Sequence, residues 1–360
     1  MALGLTRDAG PLRLSLTPVA FAMLPGWGAD DLAGALPALL KSCARFAKDR
    51  DTAPFGPVGS GVDYGRVNDW LPVCRSAAAE PANDAAAARR FFESAFEPMA
   101  VADYGDSEGL FTGYFEIELN GSRYRHGPYQ TPLYRRPPDL GAAPHYSRAQ
   151  IEDGALAGRG LELFWVDNPI DAFFLQIQGS GRVRLEDGQV VRVGYDGQNG
   201  LPYVPVGRLL IERGEIPRSK VTMASIQAWM QAHPKAGAAL RREDTSYVFF
   251  RMVKGDGPLG AEHVALTPER SLAVDRAYIP LGVPIWLAAD ERYIPNVAVR
   301  RLVVAQDTGG AIKGPVRGDL FWGAGSTAGE RAGKMDARGR DYLLLPRAVA
   351  DRLVAEEARR

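Results

Sequence analysis

The spacing of apolar residues predicts two helices in the first hundred residues. From Leu32 to Phe46 apolar side chains recur every three or four positions, which predicts a helix over residues 36–48 with Pro37 in its first turn. A second helix is predicted over residues 82–97, where a run of alanines leads into phenylalanines at helical spacing. These apolar faces indicate core packing.

From Gly109 to Gly197 the pattern changes to short apolar runs separated by Gly, Pro, Asn and Asp, which is typical of a β-rich domain. Within it, Phe173, Leu175 and Ile177 alternate with Phe174, Gln176 and Gln178. This period of two predicts a strand over residues 173–178 with one buried and one polar face.

The rest of the chain is predicted to contain both element types. One helix is expected from Val206 to Arg213, ending at Gly214, and another after its cap Thr222 up to Pro234. After the polar stretch Arg241–Ser246, strands are predicted at Tyr247–Phe250, Ile285–Leu287 and Arg301–Val304, and a closing helix after Pro346. That helix should end in solvent at residues 356–360.

Length and charge limit the functional class. The 360 residues are enough for two hydrophobic cores, so we expect two domains. Forty-three basic residues balance forty-three acidic ones, so no broad positive field is available to hold a phosphate backbone or an anionic membrane. Nucleic acid is therefore not expected as a partner.

The apolar stretch Leu14–Leu24 is broken by Thr17 and Pro18, so it is too short to span a bilayer. It also makes a poor export signal, because Asp8 and Arg13 flank it and no clean cleavage site follows. An export leader is therefore not evident in this sequence.

Cysteines and histidines do not suggest a metal site. Cys43 and Cys74 are 31 positions apart, which is not a zinc spacing, and the four histidines are scattered at positions 126, 145, 233 and 263. We therefore expect neither a metal nor a cofactor. The cysteine pair is compatible with a disulfide in an oxidising compartment and equally with two buried thiols.

The densest group of candidate catalytic residues runs from Ala305 to Gly323. Asp307 and Asp319 flank a glycine-rich turn that follows a predicted strand, where a fold presents side chains to solvent. The alternative is a hairpin whose aspartates cap turns. Asp307 also begins an Asp-Thr-Gly triplet, but aspartic proteases need two such carboxylates and this chain has no second triplet.

Aromatic residues directly follow the second aspartate. Phe321 and Trp322 could stack on the apolar faces of sugar rings, and burial beside them would raise the pKa of Asp319 for acid catalysis. The alternative is that Trp322 belongs to the core.

Two further clusters are candidates for substrate binding. The first, within Gly109–Glu116, offers Thr112, Tyr114 and Glu116. The second, within Gln176–Arg182, offers groups that can read sugar hydroxyls and acetamido arms, namely Gln176, Gln178, Gly179, Ser180 and Gly181. The alternative for the second cluster is a hairpin with a polar outer face.

Together these segments resemble the membrane-bound lytic transglycosylase A family, peptidoglycan lytic exotransglycosylases with a C-terminal three-aspartate domain. The matching stretches follow the family order: Leu24–Trp27, Gly109–Glu116, Pro132–Tyr134, Gln176–Arg182, Ser246–Arg251, Leu266–Pro268, Ser271–Asp275, Ile279–Gly282 and Ala305–Gly323. One departure is Ile117, where the family commonly has proline after the glutamate.

The resemblance implies a mainly β fold with flanking helices, in which a double-psi β-barrel carries a smaller inserted β-barrel and a groove lies between the two. Residues 1–112 and 247–360 would form the catalytic three-aspartate domain, and residues 113–246 the substrate-binding insert. Asp319 would be the catalytic acid, supported by Asp307 and Asp275.

The implied function is cleavage of the β-1,4 bond between N-acetylmuramic acid and N-acetylglucosamine, with one aspartate as acid and base and a 1,6-anhydromuramic end as product. The alternatives are a hydrolytic glucanase and a non-catalytic glycan-binding protein. The expected partner is the peptidoglycan glycan strand. The expected location is the periplasm or cell envelope, with outer-membrane association left open.

Overall fold

The computed structural model of the protein describes residues 13–57, 60–141, 146–255, 257–291 and 298–359. The predictions that concern residues 1–12, His145 and Arg360 lie outside these ranges. No helix in the described ranges combines the length and apolarity needed to cross a bilayer.

The chain alternates between strands and helices. The strands are β1 (Leu14–Pro18), β2 (Phe96–Asp103), β3 (Gly109–Ser122), β4 (Thr131–Tyr134), β5 (Glu162–Val166), β6 (Ser180–Leu185), β7 (Val190–Gln198), β8 (Val248–Val253), β9 (Ser271–Val274), β10 (Pro284–Glu291), β11 (Ala298–Asp307), β12 (Arg317–Ala324) and β13 (Asp336–Pro346). The helices are α1 (Leu36–Phe46), α2 (Val67–Ala79), α3 (Ala85–Ala95), α4 (Arg148–Gln150), α5 (Pro169–Gln178), α6 (Val206–Glu212), α7 (Met223–Ala232), α8 (Pro234–Glu243), α9 (Ser326–Lys334) and α10 (Arg347–Glu357).

The chain divides into two compact units. Unit 1 comprises Met1–Gly113, Gly260–Phe321 and Met335–Arg360, and unit 2 comprises Tyr114–Leu259 and Trp322–Lys334. Residues 247–259 and 322–334, which the sequence analysis assigned to the catalytic domain, therefore group with unit 2.

Unit 1 is built on a sheet with the strand order β1-β2-β13-β10-β11-β9-β12. Neighbouring strands are antiparallel except β9 and β11, which run parallel. Its core contains large side chains with almost no exposure, including Phe92, Phe111 and Trp286. A disulfide joins Cys43 of α1 to Cys74 of α2, with 5.4 Å between the Cα atoms, so the pairing that the sequence left open is a disulfide.

Unit 2 contains the strand order β3-β6-β7-β8, with β5 pairing both β3 and β4. Its main cluster of buried side chains includes Phe115, Leu133, Phe173 and Phe250, together with Ala328 from α9. The helices of this unit therefore cover the same apolar interior as its strands.

Several sequence predictions are confirmed. The periodic segment at 36–48 forms α1, with Pro37 in the first turn, and Thr222 caps α7 by accepting from the amide of Ser225 at 3.1 Å. The strands predicted around 247, 285 and 301 and the helix after Pro346 are present. The second helix ends at Ala95, two residues before the predicted end at 97, because β2 begins at Phe96.

The strand predicted over residues 173–178 is wrong, because these residues form most of α5. The Asn168 side chain caps the helix by accepting from the amide of Ile170 at 2.9 Å, and Pro169 occupies its first turn. Gly179 ends it with φ +79°, a conformation that favours glycine. Two helices were not predicted from the sequence, namely α2, which contains Pro72, and α8, which includes Arg241.

Candidate active site

The three aspartates of the candidate site all lie in unit 1. Asp307 ends β11, Asp319 lies in β12, and Asp275 directly follows β9. In the sheet, β9 lies between β11 and β12, and its residue Ala273 is the register partner of both Asp307 and Asp319. The alternative of a simple hairpin between β11 and β12 is therefore wrong, because each strand pairs with β9.

Asp319 is half-buried and makes a specific hydrogen bond. The Thr112 hydroxyl donates to Asp319 Oδ1 at 2.7 Å, and Arg317 Nη2 donates to the Thr112 oxygen at 2.9 Å. A guanidinium cannot accept a hydrogen bond, so the hydroxyl proton of Thr112 is available to Asp319. With Oδ1 accepting from Thr112, Oδ2 is the oxygen that can carry the acidic proton of Asp319.

The surroundings of Asp319 favour its protonated form. Burial raises the pKa of Asp319 to about 6, while the Arg317 charge and the Thr112 hydrogen bond lower it and the Asp307 charge raises it slightly. Burial therefore outweighs the nearby cation. A carboxylic acid with this pKa is partly protonated near neutral pH, as a general acid requires.

Arg317 is a residue of the site to which the sequence analysis gave no role. Burial lowers its pKa, and the charges of Asp319 and Asp336 raise it. It also donates to the carbonyls of Leu110, at 3.2 Å, and of Gly318. A usable signal was its position two residues before Asp319, because residues i and i+2 of a strand lie on the same face.

Asp275 and Asp307 hold backbone segments around Asp319. Asp275 is 7% exposed and accepts from the amides of Ala277, at 3.1 Å, and Gly314, at 2.8 Å. Asp307 Oδ1 accepts from the amides of Ala261 and Thr308, both at 2.9 Å. Their carboxylates therefore bind the segment at Ala261 and the loops that follow β9 and β11.

The two aromatic residues after Asp319 are not equivalent. Phe321 is 1% exposed, so its ring is a core side chain and offers no face to a sugar, contrary to the sequence prediction. Trp322 is half-buried and packs against the unit 2 core. The Arg331 guanidinium lies over its ring, 5.7 Å from the ring centroid.

The residues predicted in β3 have different roles. Thr112 contacts Asp319 directly, whereas Glu116 is 1% exposed and receives a hydrogen bond at 2.7 Å from Arg192 Nε. Glu116 and Arg192 therefore form a buried structural ion pair. The predicted substrate contact of Glu116 is corrected accordingly. Tyr114 is 8% exposed.

The predicted Gln176–Arg182 cluster is the turn from α5 into β6 rather than a hairpin. Gln176 is buried and accepts from the Val248 amide at 3.4 Å, so its amide group serves the fold, contrary to the substrate contact expected for it. Gln178 accepts from the Phe115 amide at 3.2 Å. Gln178, Gly179 and Ser180 are each half-buried and so keep some exposure to solvent.

Gly181 serves close packing. A Cβ atom there would lie 2.4 Å from Leu175 Cδ1 and 2.7 Å from the Ile117 carbonyl oxygen. Its backbone is buried in β6, so the predicted substrate contact is replaced by a packing role. Among the described residues, no group of three His, Cys, Asp or Glu side chains is arranged to hold a metal ion.

Comparison with known proteins gives consistent matches. The sequence matches the MltA specific insert domain over residues 110–251 and the 3D domain over residues 270–345. It is 34% identical to membrane-bound lytic murein transglycosylase A of Escherichia coli strain K12 over 289 residues, which is 78% of this chain and 75% of that relative.

Solved structures are similar as well. A membrane-bound lytic murein transglycosylase from Agrobacterium tumefaciens superposes with a TM-score of 0.83 at 33% identity, covering 94% of this chain and 99% of that one. E. coli MltA with bound chitohexaose superposes with a TM-score of 0.67 at 28% identity, covering 93% of this chain and 94% of that one. These similarities confirm the resemblance found in the sequence and the mainly β fold class with a double-psi β-barrel.

Proposed function

The chain belongs to the membrane-bound lytic murein transglycosylase A family, and on this premise we propose that it cleaves the glycan strand of peptidoglycan with Asp319 as its acid and base. The observation that carries the proposal is the environment of Asp319. Its Oδ1 is occupied by the Thr112 hydroxyl, and burial raises its pKa to about 6. Such a group can donate a proton near neutral pH and accept one afterwards.

Cleavage then proceeds in two proton transfers. Protonated Asp319 gives its Oδ2 proton to the oxygen between N-acetylmuramic acid and N-acetylglucosamine, and the bond from that oxygen to C1 of the muramic residue breaks. The C6 hydroxyl of the same muramic residue attacks C1, and the Asp319 carboxylate takes the hydroxyl proton. The products are a 1,6-anhydromuramic end and a free 4-hydroxyl on the departing sugar, and Asp319 is again protonated.

One carboxyl group is sufficient in this scheme because the substrate supplies the nucleophile. Ordinary glycosidases need a second carboxylate as nucleophile or to activate water. Here the C6 hydroxyl is part of the muramic residue, so its attack on C1 is intramolecular and favoured by proximity. Asp307 and Asp275 act as supports, since their oxygens bind backbone amides.

The remaining substrate contacts are proposed in unit 2. Gln178, Gly179, Ser180 and Trp322 keep partial exposure there and offer an amide, a backbone turn, a hydroxyl and an indole. The relative with bound chitohexaose supports a glycan ligand. We propose the cell envelope as the place of action, with the periplasm as its compartment, because the named relatives are membrane-bound murein enzymes.

The decisive experiment is mass spectrometry of sacculi digested in water enriched in oxygen-18. The proposed reaction gives anhydro ends that contain no heavy oxygen, because no water enters the product. A hydrolytic glucanase would give reducing ends one water heavier that carry the label, and a glycan-binding protein would release nothing.

Asp319→Asn and Asp319→Ala should abolish release while the folded state is retained. Asp290→Asn is the matched control in the same unit, because Asp290 pairs with Arg300 and its side chain is 69% exposed. Release of anhydro ends by Asp319→Ala at the wild-type rate would contradict the role given to Asp319.

A further inference from the structure

A closed ring of buried polar groups lies behind Asp307. Gln306, the residue before it, is fully buried, and its Nε2 donates to the Ser42 hydroxyl and to the Ala38 carbonyl of α1, both at 2.8 Å. The Ser42 hydroxyl donates to Glu262 Oε2 at 2.7 Å. The Glu262 amide donates to the Gln306 carbonyl at 3.1 Å, which closes the ring.

The same glutamine ties β11 to β9. Its Oε1 accepts from the Ser271 hydroxyl at 2.6 Å, and Ser271 lies two residues before Ala273, the register partner of Asp307 and Asp319. All the hydrogen-bonding atoms of the Gln306 amide group are thus engaged with α1 and β9. Burial in a low dielectric makes such bonds expensive to break, so they fix the end of β11 firmly.

The turn at residues 260–262 is held against β11 from the other side. Asp307 Oδ1 accepts from the Ala261 amide at 2.9 Å, and a Cβ atom at Gly260 would lie 2.3 Å from the Gln306 carbonyl oxygen. The backbone of this turn is therefore in direct contact with Gln306. Any shift of Gln306 moves the turn and the carboxylate of Asp307 together.

We propose that Gln306 and Glu262 are positioning residues for the cleavage reaction, acting through Asp307 and β9 on the placement of Asp319. The inference rests on the proposed function, because glycan cleavage is the activity that these residues would tune. Neither residue is expected to touch substrate, since Gln306 is 0% and Glu262 5% exposed.

Glu262 is the one member of this ring that can ionise, and burial disfavours its charged form. Burial raises the pKa of Glu262 to about 8. The Ser42 hydrogen bond, the Arg45 charge and the Gln306 side chain oppose this rise, and the Asp49 charge adds to it. The charged groups that act on it thus come from α1 and the turn after it, and the side chain facing it from β11 is the neutral Gln306. The Oε1 atom of Glu262 makes no hydrogen bond among the described residues, so ionisation would place part of the charge on a buried oxygen that no donor stabilises.

The test compares kcat and KM on soluble glycan strands for wild type, Gln306→Met, Glu262→Gln and Asp30→Asn. Gln306→Met keeps the side-chain length and removes the hydrogen bonds. It should lower kcat by about tenfold to a hundredfold with little change in KM, because the acid is misplaced. Asp30→Asn is the control, since Asp30 anchors the same strand by accepting from the Leu302 amide at 2.9 Å, five positions before Asp307.

Glu262→Gln gives a second readout that a purely structural role would not change. The variant keeps a neutral group at every pH, so the ratio of its kcat to that of wild type should rise from about 1 at pH 6 to about tenfold at pH 9. A group with a pKa of about 8 is about nine-tenths ionised at pH 9.

Each outcome bears on one claim. An unchanged kcat for Gln306→Met, or a loss no larger than that of Asp30→Asn at equal stability, would overturn the positioning role of Gln306. If Gln306→Met does not fold, the Glu262→Gln ratio decides alone, and a flat ratio overturns the inference. Asp319→Asn is assayed in parallel, because cleavage by that variant would contradict the proposed function instead.

Discussion

Asp307 and Asp319 share one register partner, Ala273, which they approach from the two edges of β9. This arrangement brings two carboxylates into the same region of the sheet, and the charge of Asp307 raises the pKa of Asp319. The two are nevertheless different groups. Asp307 accepts from backbone amides, whereas Asp319 receives the hydroxyl of Thr112.

Thr112→Val should raise the pH at which activity is lost on the alkaline side. The Thr112 hydrogen bond lowers the pKa of Asp319, so its removal raises that pKa and keeps the acid protonated to higher pH. The maximal kcat should fall by about tenfold, because the carboxyl group loses its fixed orientation. The measurement is the pH profile of kcat. Thr112→Ser should retain the wild-type profile, and an alkaline limb that moves to lower pH would refute the assignment.

Asp307→Asn should move the same limb in the opposite direction. Removing the negative charge lowers the pKa of Asp319, so activity is lost at a lower pH than in wild type. The shift should be smaller than that of Thr112→Val, because Asp307 has the smaller influence on Asp319. The asparagine oxygen can still accept from the amides of Ala261 and Thr308, so the fold should persist. If the alkaline limbs of Thr112→Val and Asp307→Asn moved in the same direction, this electrostatic explanation would be excluded.

Reduction of the disulfide should destabilise unit 1. Cys43 and Cys74 are 31 residues apart, and closing a loop of that size removes enough entropy from the unfolded chain to stabilise the fold by about 3–4 kcal/mol. The Cys43→Ser/Cys74→Ser double variant should therefore show a lower free energy of unfolding in urea. Wild type measured with a reductant should match the variant, and the variant itself should be insensitive to reductant.

Asp341 should make stability depend on pH. Its side chain is 1% exposed, Oδ1 has no partner among the described residues, and burial raises its pKa from 3.8 to about 7. Between these pH values the folded protein holds a proton that the unfolded chain releases. The free energy of unfolding is therefore not reduced by Asp341 below about pH 4. It falls as the pH rises from about 4 to about 7, by at most about 4 kcal/mol in total.

Asp341→Asn should remove this dependence, which urea unfolding at pH 5 and pH 8 would reveal. The free energies of unfolding of the variant should differ less between the two pH values than those of wild type. Asp290→Asn, at an exposed position, should keep the wild-type difference. The role of Asp341 would be contradicted if the free energy of unfolding of wild type were the same at pH 5 and pH 8 while that of Asp341→Asn differed.

Local sequence signals determined many elements. Helix α1 follows from its apolar spacing, and the Thr222 cap and Gly214 mark helix ends correctly, because these signals act within one or two turns. The alternation at residues 173–178 gave a strand, yet the cap Asn168, Pro169 and Gly179 around it were helix signals. When a short apolar run is buried all round, periodicity alone cannot separate a helix from a strand.

Sequence alone determined the family, the β-rich class and the three aspartates, because these depend on residue types in a fixed order along the chain. Tertiary structure decided what each polar residue does. Thr112 meets Asp319 across 207 positions, Glu116 pairs with Arg192 across 76, and Gln306 reaches Ser42 across 264. The pKa of a carboxyl group is set by burial and by such distant neighbours, so only the folded chain gives the physical reason for the acid role proposed for Asp319.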